Sequence, residues 1–372
     1  MNILCIHQGY ELYGSDRSFI DDVRVLKEHF NDGEFLVLIP KVGPIFGPLK
    51  KVVANVMVSE LAILRKSELK KLKLSALFEI FRFSRQNEKL FNQYEVVYIN
   101  SIVLLGPILT KTLKSTKMVV HIREIPMGVS RWIFQFCLKI SKAYFIFNSS
   151  ATRHAFPQLD EKRCFVVNNG VIGFSDINSP KFEIPMRILM IGRINSWKGQ
   201  LELLHAVCEL NEQKRKSITV RIVGDVFENQ YRFKTDLAKF VHDNNLMSLV
   251  EFFSFSDNPA THYQWSDIVV VPSTKPEPFG RVAIEAMSAA RPVVAADHGG
   301  LSEIVVHNKT GILFKPKNQK SLRLALETLI DNPDLAIKMG QRGFTRFQEN
   351  YTFDIHRRNF LSTVDQIIAK ND

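Results

Sequence analysis

The feature that most constrains the fold is an alternation that runs through the chain twice. Short runs rich in Val, Ile and Phe are separated by longer mixed segments with helical spacing, the pattern of βαβ units in parallel sheets. In the first half the strand-like runs are 3–6, 35–39, 52–58, 96–99, 118–121, 143–147 and 164–167. A polar, strand-poor stretch at 173–181 reads as a linker. The pattern then restarts with 187–191, 219–223, 250–253, 268–271, 293–295 and 312–314, and everything from Ser321 on is helical in pattern, with two or three helices. At 372 residues the chain exceeds what one core usually organises. The expected fold is α/β, two doubly wound Rossmann-like domains facing each other across a cleft, at 1–175 and 176–353, with a C-terminal helix at about 354–372 completing the first. Ligands then belong at the carboxyl ends of the strands.

Composition narrows the setting. A hydrophobic content of 45% supplies two ordinary cores. No apolar run reaches the roughly 18 residues a membrane span needs, and Met1-Asn-Ile-Leu-Cys-Ile lacks the basic flank of a signal peptide. A cytoplasmic protein is therefore expected. Cys5, Cys137, Cys164 and Cys208 are isolated and read as core residues in a reducing compartment. The net charge of +11 asks for an anionic partner: nucleotide phosphates, an acidic membrane surface or nucleic acid. Basic residues are spread through both halves without a nucleic-acid motif, which speaks against the last.

The densest chemistry lies in the second half. The strand at 268–271 feeds Pro276-Glu277-Pro-Phe279-Gly280, and a helix over about 281–290 follows. That helix is apolar on almost every side, so Glu285 is expected to be a carboxylate on a buried element that needs a partner. Arg281, one turn earlier, offers an ion pair; two ribose hydroxyls offer charge-assisted hydrogen bonds. Glu277, between two prolines, has no helical partner and otherwise reads as a solvated turn charge. Upstream, the strand at 187–191 runs into Gly192-Arg193-Ile-Asn-Ser-Trp-Lys198-Gly199. Two cations flank a turn that opens a helix, and a helix N-terminus with fixed cations beside it suits a diphosphate leaving group. The alternative is a pair of solvated surface charges.

This stretch resembles the retaining GT-B glycosyltransferases of the large family four, the glycosyl transferases group 1. Their hallmark is two glutamates separated by seven residues, the spacing of Glu277 and Glu285. Gly192-Arg193 with Lys198-Gly199 looks like the family's diphosphate clamp, and Ile222-Val-Gly-Asp225 and 250–255 fall where the family has comparable segments. The resemblance implies that Arg193 and Lys198 bind the donor diphosphate, Glu285 the ribose and Glu277 the donor sugar. Backbone amides around Phe279 and Gly280 would join them. It also implies retention of anomeric configuration. No Asp-x-Asp motif is present, so neither a metal nor another cofactor is expected.

The first half resembles the family more weakly. His7-Gln-Gly-Tyr-Glu-Leu-Tyr-Gly14-Ser15-Asp16 is similar to its first glycine-rich loop, which approaches the donor phosphates, although Tyr13 stands where a paired glycine would be. A plain turn capped by Ser15 or Asp16 is the alternative. His121, at the end of the run 118–121, matches a family histidine that contacts a sugar hydroxyl; a satisfied structural histidine is the alternative. Arg123 and Glu124, in the following loop, either reach the acceptor or form a local surface ion pair, and the second is the expected reading. The segment 65–85 is basic and rich in Leu and Phe, so it is either a core-packing helix or one that lies on an anionic membrane through Lys70, Lys71, Lys73 and Phe78, Phe81 or Phe83.

The expected function is transfer of a hexose-type sugar from a UDP- or GDP-sugar to a saccharide or lipid-linked acceptor, in bacterial surface polysaccharide or glycolipid synthesis. Peripheral contact with the inner membrane face fits that role. A nucleotide-sugar isomerase of the same fold is the alternative, with a nucleic-acid-binding protein behind it.

Overall fold

The strands Ile3–His7 (β1), Phe35–Ile39 (β2) and Val96–Asn100 (β4) are buried at every position. Strands covered on both faces belong to the interior of a parallel sheet. The computed structural model describes residues 1–64, 74–174, 178, 180–227 and 230–370. Its first sheet adds Asn55–Val58 (β3), Lys117–Ile122 (β5), Tyr144–Phe147 (β6) and Cys164–Val166 (β7), in the order β3-β2-β1-β4-β5-β6-β7. The second holds Met186–Ile191 (β8), Ile218–Val223 (β9), Val250–Phe253 (β10), Ile268–Val271 (β11), Val293–Ala296 (β12) and Gly311–Phe314 (β13), in the order β10-β9-β8-β11-β12-β13. All neighbouring strands run parallel. Exposure appears where the order places an edge: β3, β7 and β10 show side chains to solvent that β1 and β4 do not.

Both sheets are doubly wound, with the strand order reversing between β1 and β4 and between β8 and β11. Such a reversal leaves a crevice at the carboxyl ends of the two central strands. The chain divides into two units, Met1–Asn169 with His356–Asp372, and Gly170–Ile355. The second unit begins before 175 because Val171 N–H donates to the Tyr351 carbonyl at 3.0 Å and Phe353 N–H to the Val171 carbonyl at 3.0 Å. The last helix, Phe353–Ile368, returns to the first unit through His356, Phe360, Val364 and Ile367, all buried. Three helices close the chain, Gln319–Asp331, Pro333–Asn350 and Phe353–Ile368.

No helix among the described residues is long and apolar enough to cross a membrane. Of the segment 65–85, Arg65, Lys66, Lys70, Lys71 and Lys73 lie outside the described residues. The helix Leu74–Phe91 exposes Phe78 and Phe81 but buries Phe83, which packs edge-on against Phe91 with ring centroids 6.3 Å apart. Phe83 is therefore a core residue and not a candidate for lipid contact.

Candidate functional site

In the second unit the loops after β8 and β11 leave neighbouring strands at the reversal of strand order. After β8, Gly192 turns the backbone at φ 146°, and the Asn195 side chain accepts from Trp197 N–H at 3.0 Å and Lys198 N–H at 2.9 Å. These bonds shape the loop as an Asx-type turn. Gly199 then opens the helix Gln200–Cys208 at φ 90°, where a Cβ would stand 2.0 Å from the Pro272 carbonyl oxygen. Only glycine permits that approach between the end of β11 and the start of the helix. Thr274 N–H donates to the Trp197 carbonyl at 2.7 Å and fastens the two loops together.

The result is a defined pair. Lys198 Nζ lies 2.7 Å from Glu277 Oε1, and the same oxygen accepts from Ser273 Oγ at 2.5 Å. Glu277 is 6% exposed, so it is not a solvated turn charge; it is a carboxylate held by a lysine. Its carbonyl accepts from Gly300 N–H at 2.8 Å, and His298 Nε2 lies 2.7 Å from the Ser273 carbonyl. Burial holds the His298 imidazole below its usual range, so the ring is neutral at pH 7 and donates to that carbonyl from Nε2. Arg193 sits on the same loop as Lys198, with its guanidinium over the Phe227 ring at 4.9 Å and its carbonyl accepting from Gln200 Nε2 at 3.0 Å.

Gly280, at φ 119°, opens the helix Arg281–Ser288, and Phe279 before it is buried. This helix buries Ala283, Ile284, Ala286 and Met287 but leaves Arg281, Val282 and Glu285 partly exposed, so it is not enclosed on all sides. Glu285 Oε1 accepts from Arg281 Nε at 3.0 Å, and Oε2 accepts from the Tyr263 hydroxyl at 2.9 Å. The ion pair expected from spacing is thus present, and Tyr263 is a partner that spacing did not reveal. Burial, followed by the Glu285 charge, pushes the Tyr263 phenol well above its ordinary range and keeps it a donor. Arg291, in the same motif, is a structural residue: its buried guanidinium donates to the carbonyls of Tyr263, Ser266, Asn178, Ala289 and Gln264.

The first unit places its expected residues differently. Gly14 begins the helix Gly14–His29 and does not take a positive φ, so its conformational freedom is unused. The loop is fixed instead by Asp16, whose Oδ2 accepts from Tyr13 N–H at 2.9 Å and whose Oδ1 lies 2.9 Å from His7 Nε2. His121 is fully buried, packed against Tyr98 and Phe360, with Nδ1 2.7 Å from the Tyr98 hydroxyl. Its Nε2 has no hydrogen-bond partner among the described residues. Enclosed in this way, the ring offers no open face to a sugar. Burial, then the neighbouring Arg123 charge, lowers its pKa to about 4, so the imidazole is neutral.

Arg123 and Glu124 are not a surface pair. Arg123 is buried and donates to Asp22, Asn100 Oδ1 and Asn169 Oδ1, whereas Glu124 accepts from Ser101 and from backbone N–H groups of Ile102 and Arg123. Asp22 is the hub: it accepts from Arg123 and from the Tyr98 hydroxyl at 2.6 Å, and its Oδ1 lies 2.8 Å from His356 Nε2. His7 Nδ1 joins through Asn100 Nδ2 at 2.8 Å. This buried network runs from the Tyr13 loop to the returning C-terminal helix.

Comparison with solved structures defines the fold class. The structure of Anabaena Alr3699/HepE in complex with UDP and glucose superposes with a TM-score of 0.80 at 21% identity, over 98% of this chain and 99% of that one. Sucrose-phosphate synthase from Thermosynechococcus elongatus gives 0.78 at 16% identity over 99% and 100%. The chain has the GT-B fold. Residues 175–346, most of the second unit, match the model of the family described as glycosyl transferases group 1. D-inositol 3-phosphate glycosyltransferase of Pseudarthrobacter chlorophenolicus is 34% identical over 167 residues, 44% of this chain. The chain spans only 39% of the length of that relative.

Proposed function

We propose that this chain is a retaining glycosyltransferase that moves a hexose-type sugar from a UDP- or GDP-sugar to a saccharide or lipid-linked acceptor, in bacterial surface polysaccharide or glycolipid synthesis. The observation that carries the reading is the Lys198–Glu277 pair, set at the strand-order reversal between two glycine-opened helices. It lies within the segment that matches the family. The Anabaena neighbour, described with UDP and glucose, supports a UDP-sugar as donor.

In this reading Arg193 and Lys198 neutralise the departing diphosphate, together with the N-terminal N–H groups of the helix Gln200–Cys208. Glu277 is positioned by Lys198 and Ser273 to accept from donor-sugar hydroxyls. The amides at Phe279 and Gly280 join it. Glu285 holds the ribose with its second lone pairs while Arg281 and Tyr263 fix its orientation. Gly14, at the start of the helix Gly14–His29, is assigned to the donor loop by the resemblance alone. His121 acts as a positioning residue through Tyr98 and Arg123. Catalysis rests on leaving-group stabilisation and placement, with no strong base required.

The discriminating assay is nucleotide release across a panel of UDP- and GDP-sugars, with and without a lipid-linked saccharide extract. Acceptor-dependent release of nucleotide with a retained glycosidic product supports the reading. An epimerised nucleotide-sugar from donor alone would replace it with isomerase chemistry.

Activity persists in EDTA, because the diphosphate is neutralised by Arg193, Lys198 and a helix terminus rather than by a metal; loss on chelation with rescue by magnesium or manganese overturns this. Glu285→Gln weakens free-nucleotide binding by roughly tenfold or more, since charge-assisted bonds are worth about 1.5–3 kcal/mol each, while kcat changes little. Unchanged affinity by calorimetry would leave Glu285 as the ion-pair partner of Arg281 alone.

A further inference from the structure

The helix Val129–Ile140 carries an outward apolar stripe that the fold does not use. It buries Phe134, Gln135 and Leu138 against the first unit. Its other side exposes Val129 (75%), Trp132 (68%), Phe136 (64%) and Ile140 (57%). At 100° per residue these four fall within one narrow arc opposite the buried face. An exposed stripe of this size on one helix is a contact surface.

Charge says what covers it. Between Glu95 and Asp160 the only acid is Glu124, and Glu124 is turned inward onto Ser101. Lys139 and Lys142 stand exposed at the end of the helix. Lys142 also lines a cavity of about 240 Å³ whose other cations are Lys114, Lys117 and Arg163. The Arg163 guanidinium donates to the Ser141 carbonyl at 2.9 Å, and Asp160 Oδ2 lies 3.8 Å from its Nε. Leu113, beside Lys114 in that lining, is itself 60% exposed. A basic recess therefore opens at the carboxyl end of an apolar stripe.

We propose that this face docks on an anionic lipid surface. The Trp132–Phe136 side enters the headgroup region, and Lys114, Lys142 and Arg163 hold a lipid phosphate in the recess. An amphipathic helix with a tryptophan on its apolar side and lysines at its border is built for that interface. The inference deepens the lipid-linked acceptor class proposed above and rests on that reading. It does not depend on donor chemistry. A second copy of this chain would bring the same cations face to face, which disfavours self-association through the recess.

The test is flotation of the full chain with phosphatidylglycerol/phosphatidylcholine vesicles and with phosphatidylcholine alone, at low and high salt and without donor. Wild type floats with the anionic vesicles at low salt, and Trp132→Ser/Phe136→Ser and Lys114→Glu/Lys142→Glu each lower the bound fraction about tenfold or more. All variants keep the wild-type melting curve, because these positions lie on the surface. Wild type that ignores anionic vesicles, or variants that bind as it does, overturns the proposal. So does inorganic phosphate bound in calorimetry by a chain that does not float, or a stripe variant that turns a dimer into a monomer. Nucleotide release measured on the same preparation without vesicles separates failure of docking from failure of the transferase reading.

Discussion

Lys198→Ala and Arg193→Ala each lower turnover by about 10²–10³, the loss found when one fixed electrostatic donor is removed from a developing anion, about 2.7–4 kcal/mol. The two variants differ in what else they disturb. Lys198 also holds Glu277 at 2.7 Å, so its removal leaves a carboxylate that is 6% exposed with the Ser273 hydroxyl as the remaining donor to that oxygen among the described residues. Lys198→Ala should therefore disorder the donor-sugar contact as well as the clamp, and raise KM alongside its loss in kcat. Arg193→Ala should act mainly on kcat. The pairing predicts non-additivity: Lys198→Ala/Glu277→Gln loses less than the sum of the single changes, because groups in contact share their effect. Steady-state kinetics on the four proteins closes the cycle. Normal turnover in both single alanine variants, with normal melting curves, would sink the clamp assignment.

How much of this was legible in the sequence depends on the range of the interaction. The described strands of both sheets coincide with β-branched or aromatic runs, which are least interrupted where the strand is buried at every position, as in β1, β2 and β4. Glu277 and Lys198 were legible as candidates, each one loop beyond a strand, but their contact was not. It comes from the adjacency of β8 and β11, which local spacing does not encode. The same limit hid Tyr263, 22 residues from Glu285, and made Arg123 look exposed. Arg123 follows β5 with a polar neighbour on the chain, yet its partners Asp22 and Asn169 arrive from 101 and 46 residues away. A helical pattern says which residues share a face and not which face meets the core. The outward stripe on Val129–Ile140 therefore becomes legible only once the fold shows which face is buried.

The largest stability effect is expected at Asp22. Burial alone would raise its carboxyl pKa, but the Arg123 charge, with hydrogen bonds from His121 and His356, holds it well below the usual range. Asp22→Asn keeps the shape and removes the charge, leaving the buried Arg123 guanidinium without its anion. Breaking a buried pair on one side costs about 3–5 kcal/mol. The loss should fall on the first unit, because all the partners, His356 included, lie there. Hydrogen exchange resolves this: peptides from β4 and β5 lose protection, whereas peptides from β11 and β12 serve as an internal reference. The pH dependence of the wild type follows from the same network. His121, neutral in the fold down to about pH 4, would protonate near 6.5 when unfolded. A depressed pKa stabilises fully above the unfolded value and is lost as pH falls through the folded one. First-unit protection should therefore decline from about pH 6.5 to 4 by on the order of 3 kcal/mol. Below about pH 4 the Asp22 contribution is lost in turn, by the same sign. His121→Gln should flatten the upper part of that decline, and, because His121 also helps hold the Asp22 carboxyl low, reduce the Asp22 contribution below it. Equal protection of β4 and β5 at pH 7 and pH 4.5, or an Asp22→Asn effect shared equally by β11 and β12, would show that the buried network does not govern the first unit.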